Sequence, residues 1–186
     1  MDAFQIEGPC RIAGETHAAG SKNSSLPILA GCLLTDDECV IENVPDLRDV
    51  RTMLKLIEML GRRVEWQGDA VLIHAGHVTS TEAPYELVST MRASISVLGP
   101  LLAKEGDAKV SFPGGCAIGD RPIDLHLKGL EALGAEIELT HGYVHARSPK
   151  LKGATMYLAG AAGSSVLATD NVMMAAALAD GVTVIQ

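Results

Sequence analysis

Two stretches of the chain spell nearly the same thing 73 residues apart. They are Leu54-Lys55-Leu56-Ile57-Glu58-Met59-Leu60-Gly61-Arg62-Arg63-Val64-Glu65 and Leu127-Lys128-Gly129-Leu130-Glu131-Ala132-Leu133-Gly134-Ala135-Glu136-Ile137-Glu138. Self-similarity at a fixed period means one supersecondary unit used more than once, each copy burying its apolar face on its neighbours. Each stretch reads as an amphipathic helix ending at a glycine C-cap and running into a strand. A turn follows in each, at Gln67-Gly68-Asp69 or Thr140-His141-Gly142. A second strand comes next, Ala70 to His74 or Tyr143 to Arg147, so both predict hairpins.

Upstream, Cys39-Val40-Ile41-Glu42 and Lys109-Val110-Ser111-Phe112 match as strands at an offset of 70. A less polar helix precedes each, Leu26 to Leu34 and Ala93 to Ala103. A third copy starts near Ser165, passes through Asn171 to Leu178, and leads to a strand over Val182 to Ile185. The unit is helix, strand, helix, strand, strand, present twice in full and about half a third time. That makes the class α/β. Residues 1–20 precede the first copy and carry short β-like runs at Phe4 to Glu7 and Arg11 to Gly14.

The change of offset from 70 to 73 places three extra residues in Pro113-Gly114-Gly115-Cys116-Ala117-Ile118-Gly119-Asp120-Arg121-Pro122. The counterpart in copy one, Val44 to Asp49, reads as an ordinary connection. An insertion in one copy alone points to local function, because function concentrates in loops. Glycines around Cys116 supply hinges and prolines fix the loop ends, which predicts an accessible thiol. Arg121 lowers the pKa of such a thiol and Asp120 opposes this, and the thiol can act as nucleophile or proton donor. Cys32 and Cys39 read as core. Arg121 can also grip a phosphate in two places, and Asp124 reads equally well as a dipole-favoured acid at a helix start.

The less polar helices begin at Ser21-Lys22-Asn23, Thr90-Met91-Arg92 and Gly163-Ser164-Ser165, spaced 70 and 73 apart. If the copies pack around a pseudo-threefold axis, three helix N-termini converge and offer free N–H groups to a phosphate or carboxylate. Lys22 and Arg92 add full charge there. A cation is not what a helix N-terminus prefers, so two in equivalent places favour an anion site over simple capping.

Composition narrows the partners. The chain has 186 residues, 47% of them apolar, enough for one domain with a real core and too apolar for disorder. A net charge of −8 argues against nucleic acid. No run of 18 apolar residues appears, so no membrane span is expected. The first residues lack a basic or apolar leader, and the four cysteines lack a disulfide spacing. A reducing cytoplasm fits. His74-x-x-His77 and His141-x-x-x-His145 lack the context of a zinc site, so neither metal nor cofactor is expected.

Gly20-Ser21-Lys22-Asn23 with Leu26-Pro27, Thr90-Met91-Arg92-Ala93-Ser94, and the run Pro113-Gly114-Gly115-Cys116-x-Ile118-Gly119-x-Arg121-Pro122-x-Asp124-x-His126 closely resemble the UDP-N-acetylglucosamine 1-carboxyvinyltransferase family of enolpyruvyl transferases. The resemblance covers the whole chain in order. It implies an inside-out α/β barrel domain of repeated units around a pseudo-threefold axis. Residues 1–20 would belong to a second, absent C-terminal domain, and residues 21–186 would form the loop-bearing domain, truncated in its third repeat. It implies transfer of the enolpyruvyl group of phosphoenolpyruvate to the 3-hydroxyl of UDP-N-acetylglucosamine with release of phosphate, opening peptidoglycan synthesis.

By this resemblance Cys116 protonates the enol carbon and is the target of fosfomycin-type epoxides. Lys22, Arg92 and Arg121 contact phosphoenolpyruvate or the phosphates, and Asn23 lies near the substrates. Arg121, Pro122, Ile123, Asp124 and Leu125, with Ser164, Ser165 and Val166, line the UDP-sugar. Leu167 stands where the family usually has glycine. The base aspartate and further arginines of the second domain are missing, so this chain alone is expected to be inactive. A truncated, non-catalytic UDP-sugar-binding or regulatory module is the alternative.

Overall fold

A computed structural model describes residues 3–113, 123–161 and 163–186. In copy one, α1 (Lys22–Gly31) passes through a 3₁₀ turn (Cys32–Leu34) to β1 (Cys39–Ile41), then α2 (Arg48–Met59), β2 (Val64–Gln67) and β3 (Ala70–Ile73). Copy two opens with β4 (Glu82–Ala83) and α3 (Tyr85–Val88). A 3₁₀ turn (Arg92–Val97) then runs into α4 (Leu98–Glu105), followed by β5 (Asp107–Ser111), α5 (Asp124–Ala132), β6 (Glu136–Thr140) and β7 (Tyr143–Arg147). Copy three holds β8 (Thr155–Met156), the small hairpin β9 (Ala159–Gly160) and β10 (Gly163–Ser164), α6 (Val166–Ala176) and β11 (Val184–Ile185). The predicted order of helix, strand, helix, strand, strand is present in copies one and two.

The sheets repeat as well. β1, β3 and β2 pair antiparallel in that order, and β5, β7 and β6 do the same in copy two. Two-residue turns close the hairpins at Gly68-Asp69 and His141-Gly142. His141 and Gly142 have φ of 48° and 80°, the primed geometry that matches strand twist. α2 and α5 stop at Gly61 and Gly134, whose φ values of 108° and 92° suit glycine at a helix end. Four two-residue strands, β4, β8, β9 and β10, were not legible in the sequence. β4 runs parallel to β5 and β8 runs parallel to β11, so a short strand precedes the inner helix of copies two and three. At two residues each they are too short to show alternation.

Helices lie inside and sheets outside. Residues 93–102 are buried without interruption, the mark of a helix surrounded on all sides, whereas α2 buries only Val50, Met53, Leu54, Leu56 and Ile57. α6 packs on both α1 and α4, and α1 packs on the 3₁₀ turn that leads into α4. Gly31 faces Met174, where an added Cβ would lie 3.5 Å from the sulfur, and Gly99 faces Asn171. α1 lies against the 3₁₀ turn that opens the second inner helix, the 3₁₀ turn after α1 lies against α4, and Leu34, Ala103 and Leu178 from the far ends of the three helices line one groove, so the three inner helices run parallel. Each fully buried leucine of this core, such as Leu29, Leu98 or Leu101, contributes about 1.5–3 kcal/mol.

Three expectations are corrected. Neither Phe4 to Glu7 nor Arg11 to Gly14 forms a strand, and residues 3–19 are exposed throughout. No sheet edge among the described residues receives them, and a strand without a partner cannot satisfy its backbone. The last strand starts at Val184 rather than Val182, whose side chain is exposed. The helix expected from Ala93 is 3₁₀ as far as Val97. Its cause is local. Pro100 has no N–H to give Ser96, and Asn171 inserts its carboxamide between Ile95 and Gly99. Among the described residues no helix is long and apolar enough to cross a membrane.

Candidate active site

The parallel run of α1, α4 and α6 brings their N-termini to one end of the domain. Lys22 and Asn23 are the first residues of α1, Arg92 opens the 3₁₀ turn before α4, and Ser164, Ser165 and Val166 lead into α6. No side chain caps the first N–H groups of α1 or of the 3₁₀ turn. At α6 the Ser165 hydroxyl accepts from the Ala168 N–H at 3.3 Å, so this serine is an N-cap. Ile123, Asp124 and Leu125 open α5, which packs on α6. A Cβ on Gly160 in β9 would sit 3.6 Å from Leu125 Cδ2 and 3.8 Å from Asp124 Oδ2. The β9–β10 hairpin therefore lies against the start of α5. Lys128 Nζ donates to Ala159 O at 3.2 Å and holds the hairpin there.

Lys22 does not stand alone. Its Nζ donates to Asp49 Oδ2 at 2.9 Å, with both side chains part-exposed. Asp49 lies in the first turn of α2, where the helix dipole favours a carboxylate. The connection that read as ordinary in copy one thus orients the lysine. Arg92 is half-buried and acts on a second group, His126, in the first turn of α5. His126 is 1% exposed. Burial, then the Arg92 cation, push its pKa down to about 4 against a weaker pull from Asp124. The ring is therefore neutral at pH 7.

The structure brings Lys22, Asn23, Arg92 and the α6 N-terminus to one end, with the α5 N-terminus beside α6. Cys116, Arg121 and Pro122 lie outside the described residues. Asn23, Asp124, Ser164 and Val166 are exposed, Ile123 and Ser165 are half-buried, and Leu125 is buried. Leu167 is half-buried in the first turn of α6. Of the four histidines set aside above, His141 pairs with the Thr140 hydroxyl at 2.9 Å and the other three face a carboxylate. His74 Nε2 is 3.2 Å from Glu65, His77 Nδ1 is 2.8 Å from Asp36, and His145 Nε2 is 2.7 Å from Asp107. No group of three or more potential metal ligands occurs among the described residues. Sequence reasoning did not anticipate Asp49 or Asn171 at this end. Asp49 had a signal in its helix-start position, whereas Asn171 sat unmarked in an apolar helix.

The sequence pattern of the EPSP synthase (3-phosphoshikimate 1-carboxyvinyltransferase) family matches residues 6–186. The chain is 53% identical over 186 residues to UDP-N-acetylglucosamine 1-carboxyvinyltransferase 2 of Carboxydothermus hydrogenoformans, covering 100% of this chain and 44% of that protein. It is 55% identical over 183 residues to the UDP-N-acetylglucosamine 1-carboxyvinyltransferase of Desulfosudis oleivorans, covering 98% and 43%. The chain thus spans less than half the length of these relatives. Among solved structures, the enolpyruvyl transferase NikO from Streptomyces tendae superposes with a TM-score of 0.78 at 20% identity, covering 95% of this chain and 41% of that one. EPSP synthase from Acinetobacter baumannii gives 0.68 at 21% identity, covering 93% and 40%. The fold is the inside-out α/β barrel of the enolpyruvyl transferases.

Proposed function

The chain belongs to the EPSP synthase family, and from that premise we propose that it is the loop-bearing part of a UDP-N-acetylglucosamine 1-carboxyvinyltransferase. The whole enzyme moves the enolpyruvyl group of phosphoenolpyruvate to the 3-hydroxyl of UDP-N-acetylglucosamine and releases phosphate. The observation that carries this reading is the meeting of Lys22, Arg92 and the α6 N-terminus at one end of three parallel helices. A trianionic substrate beside a nucleotide diphosphate needs fixed positive charge and uncapped N–H groups, and both are there. Identity of 53–55% to carboxyvinyltransferases over nearly the whole chain supports the choice of substrates.

In this reading Lys22, held by Asp49, and Arg92 bind the phosphate and carboxylate of phosphoenolpyruvate. Arg121 adds a bidentate grip. Asn23 orients the sugar hydroxyl. The segment from Pro122 to Leu125 and the residues Ser164, Ser165 and Val166 hold the UDP portion. Cys116 delivers the proton to the enol carbon. The complementary C-terminal part supplies the base that takes the hydroxyl proton, so this chain binds and the two parts together turn over. The same reading puts the reaction in the cytoplasm.

The test uses a fosfomycin-type epoxide phosphonate. Mass spectrometry is expected to show one adduct, on Cys116, slowed by excess phosphoenolpyruvate. Adding the C-terminal part of a relative is expected to restore phosphate release. An unlabelled Cys116 sinks the enzymatic reading. UDP-sugar binding without phosphate release in the reconstituted pair establishes the non-catalytic module instead.

A further inference from the structure

His126 has a nitrogen that the family reading leaves unassigned. Its Nδ1 lies 3.0 Å from Asn171 Nδ2. The orientation of the Asn171 carboxamide is dictated by two backbone groups on one helix. Gly99 N–H donates to Oδ1 at 2.7 Å, and Nδ2 donates to Ile95 O at 3.1 Å. An amide nitrogen only donates, so it gives its second hydrogen to Nδ1, which must be the bare nitrogen. The ring proton therefore sits on Nε2. That atom is buried and has no hydrogen-bond partner among the described residues.

A buried N–H without an acceptor costs about 1–3 kcal/mol, so its presence calls for a reason. The groups around it supply one. Asn171 belongs to α6, Ile95 and Gly99 to the inner helix that begins at Arg92, and His126 to α5. All three elements start at the end of the domain where the cations gather. Burial, and after it the Arg92 charge, keeps the ring neutral. The ring is thus a fixed neutral donor beside a fixed cation, which suits an anionic oxygen.

We propose that His126 Nε2–H is a hydrogen-bond donor to an anionic oxygen of the substrate bound at Arg92, and that Asn171 is the positioning residue that keeps the proton on that nitrogen. The proposal rests on the reading of this end of the domain as the substrate site. The oxygen belongs to a phosphate or carboxylate, which both phosphoenolpyruvate and the UDP-sugar carry.

The experiment is imidazole ¹⁵N–¹H NMR on the full 186-residue chain, titrated separately with UDP-N-acetylglucosamine, phosphoenolpyruvate and inorganic phosphate. In the free chain Nε2 is expected to carry the proton and Nδ1 to be bare. A proton found on Nδ1 overturns the proposal. The probe whose oxygen accepts from Nε2–H is expected to shift that resonance and slow its exchange, and the other probes are not. Asn171→Asp offers an acceptor to Nδ1, draws the proton there and turns Nε2 into an acceptor. That variant, with its fold checked by urea denaturation, is expected to bind the same probe about tenfold or more weakly. His126→Phe provides the same reading if Asn171→Asp fails to fold. Binding that leaves both the resonance and the variants' affinity unchanged overturns the proposal while leaving the site reading intact. No binding by any probe overturns both.

Discussion

The carboxamide of Asn171 takes over the backbone bond that Gly99 would otherwise make. Gly99 N–H points to Asn171 Oδ1 at 2.7 Å, and its natural helical acceptor, Ile95 O, receives Asn171 Nδ2 at 3.1 Å. One side chain from copy three is thereby spliced into the helix of copy two. The splice fixes the pitch of the Arg92 turn, the parallel alignment of two inner helices and the tautomer of His126. It also forbids a side chain at position 99.

Gly99→Ala tests that last consequence. The new Cβ would stand 2.3 Å from Asn171 O and 2.5 Å from Asn171 Oδ1, both rigidly held. The helices must separate and the spliced bonds lengthen. A loss of about 2 kcal/mol or more is expected in urea denaturation. A variant as stable as the parent shows that the helices have room to slide.

Arg62 predicts a second large effect. Its guanidinium is 1% exposed, and its five N–H groups reach four carbonyls, those of Cys32, Thr35, Asp37 and His74, at 2.5–3.3 Å. It ties the end of the first inner helix to the end of β3. Arg62→Met keeps much of the volume and strands four acceptors, so a loss of about 2–4 kcal/mol is expected. A change below about 0.5 kcal/mol shows that water replaces the guanidinium.

The buried imidazole predicts a pH dependence. An unfolded His126 takes up a proton near 6.5, whereas the folded ring does so only near 4. Below pH 6.5 the unfolded state therefore binds more protons, and stability falls as pH falls from 6.5 towards about 4. Above 6.5 this contribution is fully present. The loss over that window is about 3 kcal/mol. Urea midpoints measured from pH 7.5 to 4.5 are expected to drop more steeply for the parent than for His126→Phe. Parallel curves rule out a neutral buried ring.

Cysteine reactivity separates buried from exposed thiols. Burial, reinforced by Cys39, pushes the Cys32 thiol up to about 12, while Cys10 is exposed. At pH 8 the reactive thiolate of Cys32 is about one part in 10⁴. Iodoacetamide is expected to modify Cys10 readily and to spare Cys32 until the chain is unfolded. Equal rates at the two sites in the native chain contradict the buried placement.

The period of the sequence decided most of the architecture. Offsets of 70 and 73 residues, with glycine at 61 and 134 and hairpin turns at matched positions, dictate a repeated unit, because each copy leaves an apolar face that only another copy can cover. The same offsets line up Lys22, Arg92 and Ser165, so the gathering of three helix starts was legible before any coordinates. What remained hidden depends on contacts between copies. Arg62 stands where the second copy has Ala135, and an arginine after a helix reads as solvated until four carbonyls close around it. Asn171 looks like a polar interruption of an apolar helix until Gly99 and Ile95 lie beside it. Asp49 reads as a helix-start acid until Lys22 reaches it. Periodicity is a property of one chain segment and survives in the sequence. Hydrogen-bond partners separated by tens of residues are selected by how the copies pack, and only the tertiary structure specifies them.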